Sequence, residues 1–397
     1  MSKQFKIYPL AGIDNTSTRD DALQVRGEEA VATYVRDAVN VDIDEGRASM
    51  RPGRRQVCST PYTDLWRSSL HGDLFGRLGG SWVRINPQDW GFELLADVGE
   101  QQLHHVILNN LVAAAGANGI FTFNGQSAQP LALPGGWAPM LTVGAGSLPA
   151  GQYGFASAWL RDGQEGSLSP LVTAQVPDNG AVSVGFPAIA PDGVTGIRLF
   201  MTRHQGGQLL RVGDFDHRLP GTLIPAMPQL GAAPLFEHMH PMPSGQYLAM
   251  WQGRLVVAQG RTLRFSQAMA YHVHDRRYDF VELPQRITFV APVGAGIFVG
   301  QVDNVVFLSG QEPKGLTLNR RATLPPVPGS TIALDSQTAR QFGEGGRGAV
   351  AWLAGNGFVL GTDDGTIIQP QANRISGVAG SKAVTVANQG RLVSAVI

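Results

Sequence analysis

From about residue 66 onward, one hydrophobic pattern recurs along the chain. A short apolar run meets a turn bearing Gly or Asn, and a second apolar run returns. It is seen in "LFGRLGGSWVRI", "HHVILNNLVAAAGANGIFTFNG", "YLAMWQGRLVVAQGRTLRFSQ", "GIFVGQVDNVVFLSG", "GAVAWLAGNGFVLGTDDGTIIQP" and "KAVTVANQGRLVSAVI". Asn-Gly, Gly-Gly and Asp-Gly turns match the twist of a hairpin. Three strands punctuated by two-residue turns, as in "WQGRLVVAQGRTLRFSQ", make a meander, the unit of a propeller blade. The pattern predicts an all-β fold containing a divergent β-propeller. The units are irregularly spaced, which excludes a clean WD40 or kelch array. About 260 residues, at roughly 40–50 per blade, allow about five to seven blades.

Residues 140–218 read differently. "GQYGFASAWL" puts Tyr153, Phe155, Ser157 and Trp159 on one face, and "GVTGIRLFMTR" groups Ile197, Leu199 and Met201. Turns recur there at intervals of about 8–12 residues, the spacing of a β-sandwich. The pattern Y-x-F-x-x-x-W, then "DGQEGSLSP" and "VTGIRLFMTR", resembles an immunoglobulin/fibronectin type III-like module inserted between blades. The expected division is an N-terminal arm over 1–60, a first propeller part over 61–139, the sandwich over 140–218 and the remaining blades over 219–397. Within the arm, "RDDALQVRGEEAVATYVRDAVNVDI" mixes charges with small apolar residues and allows some helix. Its end, "AVNVDI", alternates like a strand, and "RPGRR" closes it with a Pro-Gly turn.

Composition sharpens this picture. The 50 Gly and 25 Pro fit many turns between short strands. A formal net charge of zero gives no global attraction to nucleic acid or acidic membranes. Of the basic residues only Lys3, Lys6, Lys314 and Lys382 are lysine. That fits GC-rich coding, or selection for planar bidentate contacts. Cys58 is the sole cysteine, so an intrachain disulfide and a Cys-based metal site are excluded. "MSKQFKIYPLAG" lacks an apolar core of signal-peptide length, and no run approaches the roughly 20 apolar residues of a membrane span. Synthesis in a cytoplasm, with no membrane insertion, is expected.

Candidate chemistry is sparse. Asp42, Asp44 and Gly46 follow D-x-D-x-G, but an EF-hand needs Gly sixth and Glu twelfth, where this chain has Arg47 and Gly53. Acids on the wet face of an edge strand explain the spacing. His238 with His240, and His272 with His274, are H-x-H pairs that share a strand face and would need a further ligand such as Glu237 or Asp275; surface histidines in loops are the simpler reading. "AAAGANGIFTF" and "GAGIFVG" lack the Lys-Ser/Thr of a phosphate-binding loop. No G-x-S-x-G is present, and Asp363 and Asp364 sit in the turn "TDDGT". No catalytic residue, cofactor or metal is expected, and the chain is read as a non-enzyme. Arg51, Arg54 and Arg55 flank Pro52 and Gly53. They could touch phosphates or pair with acids of a neighbouring subunit, and the zero net charge favours the latter.

The stretch "AGIDNTSTRDDALQ" followed by "YVRDAVNVDIDEGRASMRPGRR" resembles the N-terminal part of tail nozzle (tail tubular) proteins of short-tailed bacteriophages, and of the related plug proteins that stabilise packaged DNA. There a strand leads to a G-x-x-x-R-P-G turn; Asn40, Val41, Gly46, Arg51, Pro52 and Gly53 correspond to it, with four residues rather than three between Gly46 and Arg51. Over 246–310 the family's order of strands is matched by Arg254, Leu255, Ser266, Phe280, Ile287, Val305, Phe307 and Gly310. The chain is shorter than those nozzles. The resemblance implies a structural virion protein of the tail, made in the host cytoplasm. It would form a ring of six copies below the portal, a nozzle, hub or head-closure piece that forms and closes the channel for DNA ejection. Its partners would be other copies, the head–tail adaptor and tail fibre proteins. Genomic DNA would pass without sequence-specific binding. On this reading Asp42, Asp44, Glu45, Arg51, Arg54 and Arg55 serve the subunit or adaptor interface. The competing expectation is a carbohydrate-binding or host-adhesion propeller at the tail tip. It needs aromatics on loops, whereas Trp66, Trp82, Trp90, Trp137, Trp159, Trp251 and Trp352 lie mostly in apolar strands. A propeller hydrolase would need an acid set that the sequence does not announce.

Overall fold

Continuous apolar runs become the inner strands of small antiparallel sheets, buried on both faces. The run Leu111–Gly116 shows how. Val112 and Ala114 pack with Phe75, Trp82 and Phe123, while Ala113 and Ala115 turn the other way onto Leu248, Leu255 and Val257. The period of two thus feeds two different cores from one strand. Small side chains let the sheets approach closely, and a Cβ at Gly116 would run into the Val98 carbonyl.

The computed structural model describes residues 9–19, 23–26, 31–44, 46–51, 55–341, 348–388 and 391–397. They form two compact units, one of Met1–Thr60 with Leu283–Ile397 and one of Pro61–Glu282. The fold is all-β, with five four-stranded sheets of propeller-blade type among the described residues. In the Pro61–Glu282 unit the blades span 63–97, 104–130 and 246–282. In the other they span 287–321 and 332–368, followed by a two-stranded hairpin, Ala383–Asn388 with Arg391–Val396. The five blades match the range read from the hydrophobic pattern.

The inserted sandwich is also present. A three-stranded sheet (Met140–Leu148, Gly180–Gly185, Gly221–Ile224) packs on a five-stranded one built around Gly151–Arg161 and Gly196–Thr202. Tyr153, Phe155, Trp159, Ile197, Leu199 and Met201 share its core. The last strand lies beyond residue 218, and backbone bonds link Arg211 with Gly231 and Ala232.

Blade closure explains part of the pattern over 246–310. Ser266 Oγ accepts the Leu255 N–H at 2.8 Å and donates to the Gln267 carbonyl, while Arg254 donates to the Ser266 carbonyl at 2.8 Å. Ser330 does the same work in the fifth blade, accepting from Leu353 N–H at 3.0 Å and donating to the Val327 carbonyl at 2.6 Å. Each hydroxyl satisfies a buried backbone group where a strand ends, which is why a polar residue is tolerated there.

Candidate subunit interface

The described part of the leading segment holds strands and no α-helix: Leu10–Ile13, Gln24–Arg26 and Val31–Val35 form a three-stranded sheet. This sheet is fastened to the far end of the chain. Asp14 accepts hydrogen bonds from Thr16 and Ser17. Asn15 bonds Ser376 in both directions at 2.9 and 2.8 Å, Thr16 donates to the Asn373 carbonyl at 2.8 Å, and the Arg374 guanidinium lies 3.9 Å over the Tyr34 ring.

From this mount extends a hairpin, Val41–Asp44 against Arg47–Met50. Asn40, at φ 56°, accepts the Arg51 N–H at 3.1 Å and closes its base. Gly46 makes its turn at φ 80° and accepts the Leu10 N–H at 3.0 Å; a Cβ there would lie 2.7 Å from Pro9 Cβ. Glycine is therefore required twice over, by conformation and by contact. Opposed residues share a face, so Val41, Met50, Ile43 and Ala48 form one face, with Asp42 and Ser49 on the other. Met50 is 81% exposed, and the neighbouring Val39 is 78% exposed.

The charged residues expected at an interface are distributed as follows. Arg51 Nε lies 2.6 Å from Asp42 Oδ1 of the same chain, both partly exposed. Arg55 is exposed. Glu45, Pro52, Gly53 and Arg54 lie outside the described residues, as does the side chain of Asp44.

Elsewhere, ionisable groups are tied into the fold. Glu165 is buried: its carboxylate accepts from Arg198 at 2.8 Å and from the Leu235 N–H at 2.9 Å. His272 donates from Nε2 to the Glu165 carbonyl at 2.9 Å, and its Nδ1 takes a hydrogen bond from Gln164 at 2.7 Å. That tautomer is neutral, and burial lowers the His272 pKa. Asp275 binds Arg277 at 2.8 Å, and burial raises the pKa of Asp279. His274 is buried opposite His240, ring centroids 6.4 Å apart, and burial pushes its pKa down to about 4, with Arg264 and Arg276 adding to the shift. His238 is exposed, so the H-x-H spacing does not bring its two members into one site; the fold joins His240 to His274 instead. Among the described residues no group of three or more His, Cys, Asp or Glu could hold a metal ion.

Apolar surface is what the pattern of charges does not announce. The terminal hairpin presents Val384, Val386, Val393 and Ala395 on one exposed face. Its alternating valines were visible in "KAVTVANQGRLVSAVI", but not their exposure among the described residues.

No model of a known protein family and no curated protein sequence matches the chain. Solved structures with a similar chain path include YCF48 from Cyanidioschyzon merolae, with 11% identity, TM-score 0.28, and coverage of 81% of this chain and 88% of that one. BamB from Moraxella catarrhalis is 12% identical at TM-score 0.32, covering 81% and 77%. Hsv2 from Kluyveromyces lactis is 10% identical at TM-score 0.28, covering 76% and 73%. At scores this low the likeness carries no argument about what the chain does.

Proposed function

We propose that this chain is a structural subunit of a short-tailed bacteriophage tail, a ring-forming nozzle or hub piece through which DNA leaves the particle. The observation that carries the reading is the hairpin from Asn40 to Arg51. It matches the strand and turn through which the sequence resembles tail nozzle proteins. It stands on a sheet pinned to residues 373–376, yet Arg47–Met50 is exposed along its whole length. An element held firmly but left uncovered suits contact with another protein.

The surface chemistry points the same way. Large exposed apolar residues among those described are mostly aliphatic, such as Val39, Met50, Leu94, Ile189 and Leu235, with Phe92, Tyr278 and Phe280 the exposed aromatics. A glycan reader stacks sugars on exposed aromatic rings, whereas Trp82, Trp159, Trp251 and Trp352 are all buried. A channel wall past which DNA slides gains from weak phosphate affinity, and a net charge of zero suits it. The test is genetic: particles assembled without this chain, or with Gly46→Ala, are counted by electron microscopy as full, empty or tailless. Loss of tails or premature loss of DNA supports the reading. Normal tailed, DNA-filled particles refute it.

A further inference from the structure

Two imidazoles face each other where the chain leaves the sandwich and enters the blade over 246–282. His240–Pro241 pairs antiparallel with Val273–His274, and the register sets His240 directly opposite His274. Side chains at opposed positions share a face, so the rings meet, centroids 6.4 Å apart at 58°. His274 is 2% exposed and His240 is half-buried. Neither ring makes a side-chain hydrogen bond among the described residues, and His274 Nδ1 is buried without a partner. His272, two residues away, differs: both of its nitrogens are bonded. A buried nitrogen left unsatisfied costs about 1–3 kcal/mol, so one that persists in a fold calls for a partner.

We propose that His240 and His274 form a binding site for a divalent transition metal, Zn²⁺, Ni²⁺ or Cu²⁺, with solvent completing its coordination. Imidazole nitrogen suits these ions, whereas Mg²⁺ and Ca²⁺ take oxygen ligands. The charges around the pair select in the same direction. Arg264 and Arg276 act on His274 and Arg276 on His240, with Asp275 opposing them at both rings. Asp275 is itself engaged, its carboxylate 2.8 Å from Arg277. With that carboxylate taken and two guanidinium groups acting on the pair, a hard cation finds little to hold it. An ion that bonds directly to nitrogen still does. Metal–nitrogen bonds of about 2.0–2.1 Å place the centroids of two tetrahedrally bound imidazoles roughly 5 Å apart. The half-buried His240 ring has no hydrogen bond to break, and closing the 6.4 Å separation to that value moves it by roughly 1 Å. A metal held here fastens the segment leaving the sandwich to the blade it enters, where the backbone pairing is only two residues long on each side. The site stands or falls independently of the tail reading.

The experiment strips the full chain with EDTA and titrates it with Zn²⁺ by calorimetry, as wild type, His240→Asn and His238→Asn. Wild type is expected to bind Zn²⁺, and its thermal midpoint to rise with Zn²⁺ but not with Mg²⁺. His240→Asn removes one of the two ligands and should weaken binding by about tenfold or more, since even the outer partners of a metal ligand are worth that much. His238 is exposed and outside the pair, so His238→Asn should bind like wild type. Cu²⁺-loaded wild type should show electron paramagnetic coupling to two nitrogens, a readout that needs no variant to fold. The site is overturned if wild type binds no Zn²⁺, if His240→Asn binds as tightly as wild type, if His238→Asn loses binding to the same extent, if Mg²⁺ raises the midpoint equally, or if bound Cu²⁺ couples to fewer than two nitrogens.

Discussion

Arg51 and Asp42 meet within one chain, Nε to Oδ1 at 2.6 Å, across the exposed hairpin. The sequence expectation had these charges reaching between subunits. Within the single chain the pair braces the polar face of the hairpin. Both side chains are partly exposed, so the pair contributes about 0–1 kcal/mol. Arg51→Ala is therefore expected to leave the urea midpoint within experimental scatter of wild type. A shift equivalent to more than about 2 kcal/mol would mean that the hairpin is part of a cooperative core.

Gly46→Ala separates mounting from folding. The new methyl meets Pro9 in a left-handed turn, which strains the hairpin at a cost of about 1–3 kcal/mol. The blades lie elsewhere, so their melting transition should be preserved while limited proteolysis within residues 36–55 accelerates. Unchanged cleavage would show that the turn tolerates a side chain.

Acid should act on the Pro61–Glu282 unit through histidine. His105 is half-buried and stacked on Trp66, ring centroids 5.1 Å apart at 3°, and desolvation lowers its pKa to about 3, with His104 adding to the shift and Asp64 opposing it. His274 is held at about 4, and His240 and His272 are also lowered, chiefly by burial. Below pH 6.5 the unfolded chain takes protons that the folded chain refuses. The stabilisation from neutral histidine is thus complete above pH 6.5 and is lost as pH falls toward the folded values. For His105 alone the loss between pH 6.5 and 4 is up to about 3 kcal/mol. His105→Phe should keep the stacking and flatten the pH dependence of the denaturant midpoint in that window. A variant with the wild-type slope would show that His105 is already protonated in the fold.

The sandwich offers a boundary test. Residues 140–218 omit Gly221–Ile224, whose Ile224 is buried in the sandwich core, and the backbone bonds from Arg211 to residues 231 and 232. A fragment spanning 136–232 is expected to melt cooperatively with dispersed amide resonances, whereas 140–218 should not. Cooperative folding of the shorter fragment would mean that the edge strand is dispensable.

Much of this was legible in the chain. Period-two alternation located Tyr153, Phe155 and Trp159 on one sandwich face, and the Gly- and Asn-bearing turns located the blades, because those signals are local. The leading segment was harder. Its mixed charges allow a helix, and its strands are fixed by partners far away in sequence, such as Asn15 with Ser376, which no local period announces. The pairing of Arg51 with Asp42 depends on hairpin register, set by Gly46 and Asn40, and so escapes a reading of charge alone. The exposed valines of the last hairpin look in sequence like any other core strand. Only the absence of a covering sheet among the described residues marks them as a surface.

We propose that this chain is a ring subunit of a phage tail. Class-averaged electron micrographs of the purified chain, alone and mixed with a head–tail adaptor of a short-tailed phage, test it most directly. The account requires rings with an open central channel, six-fold in the mixture and seated on the adaptor. Isolated single copies in both samples, with no ring and no adaptor bound, would contradict it.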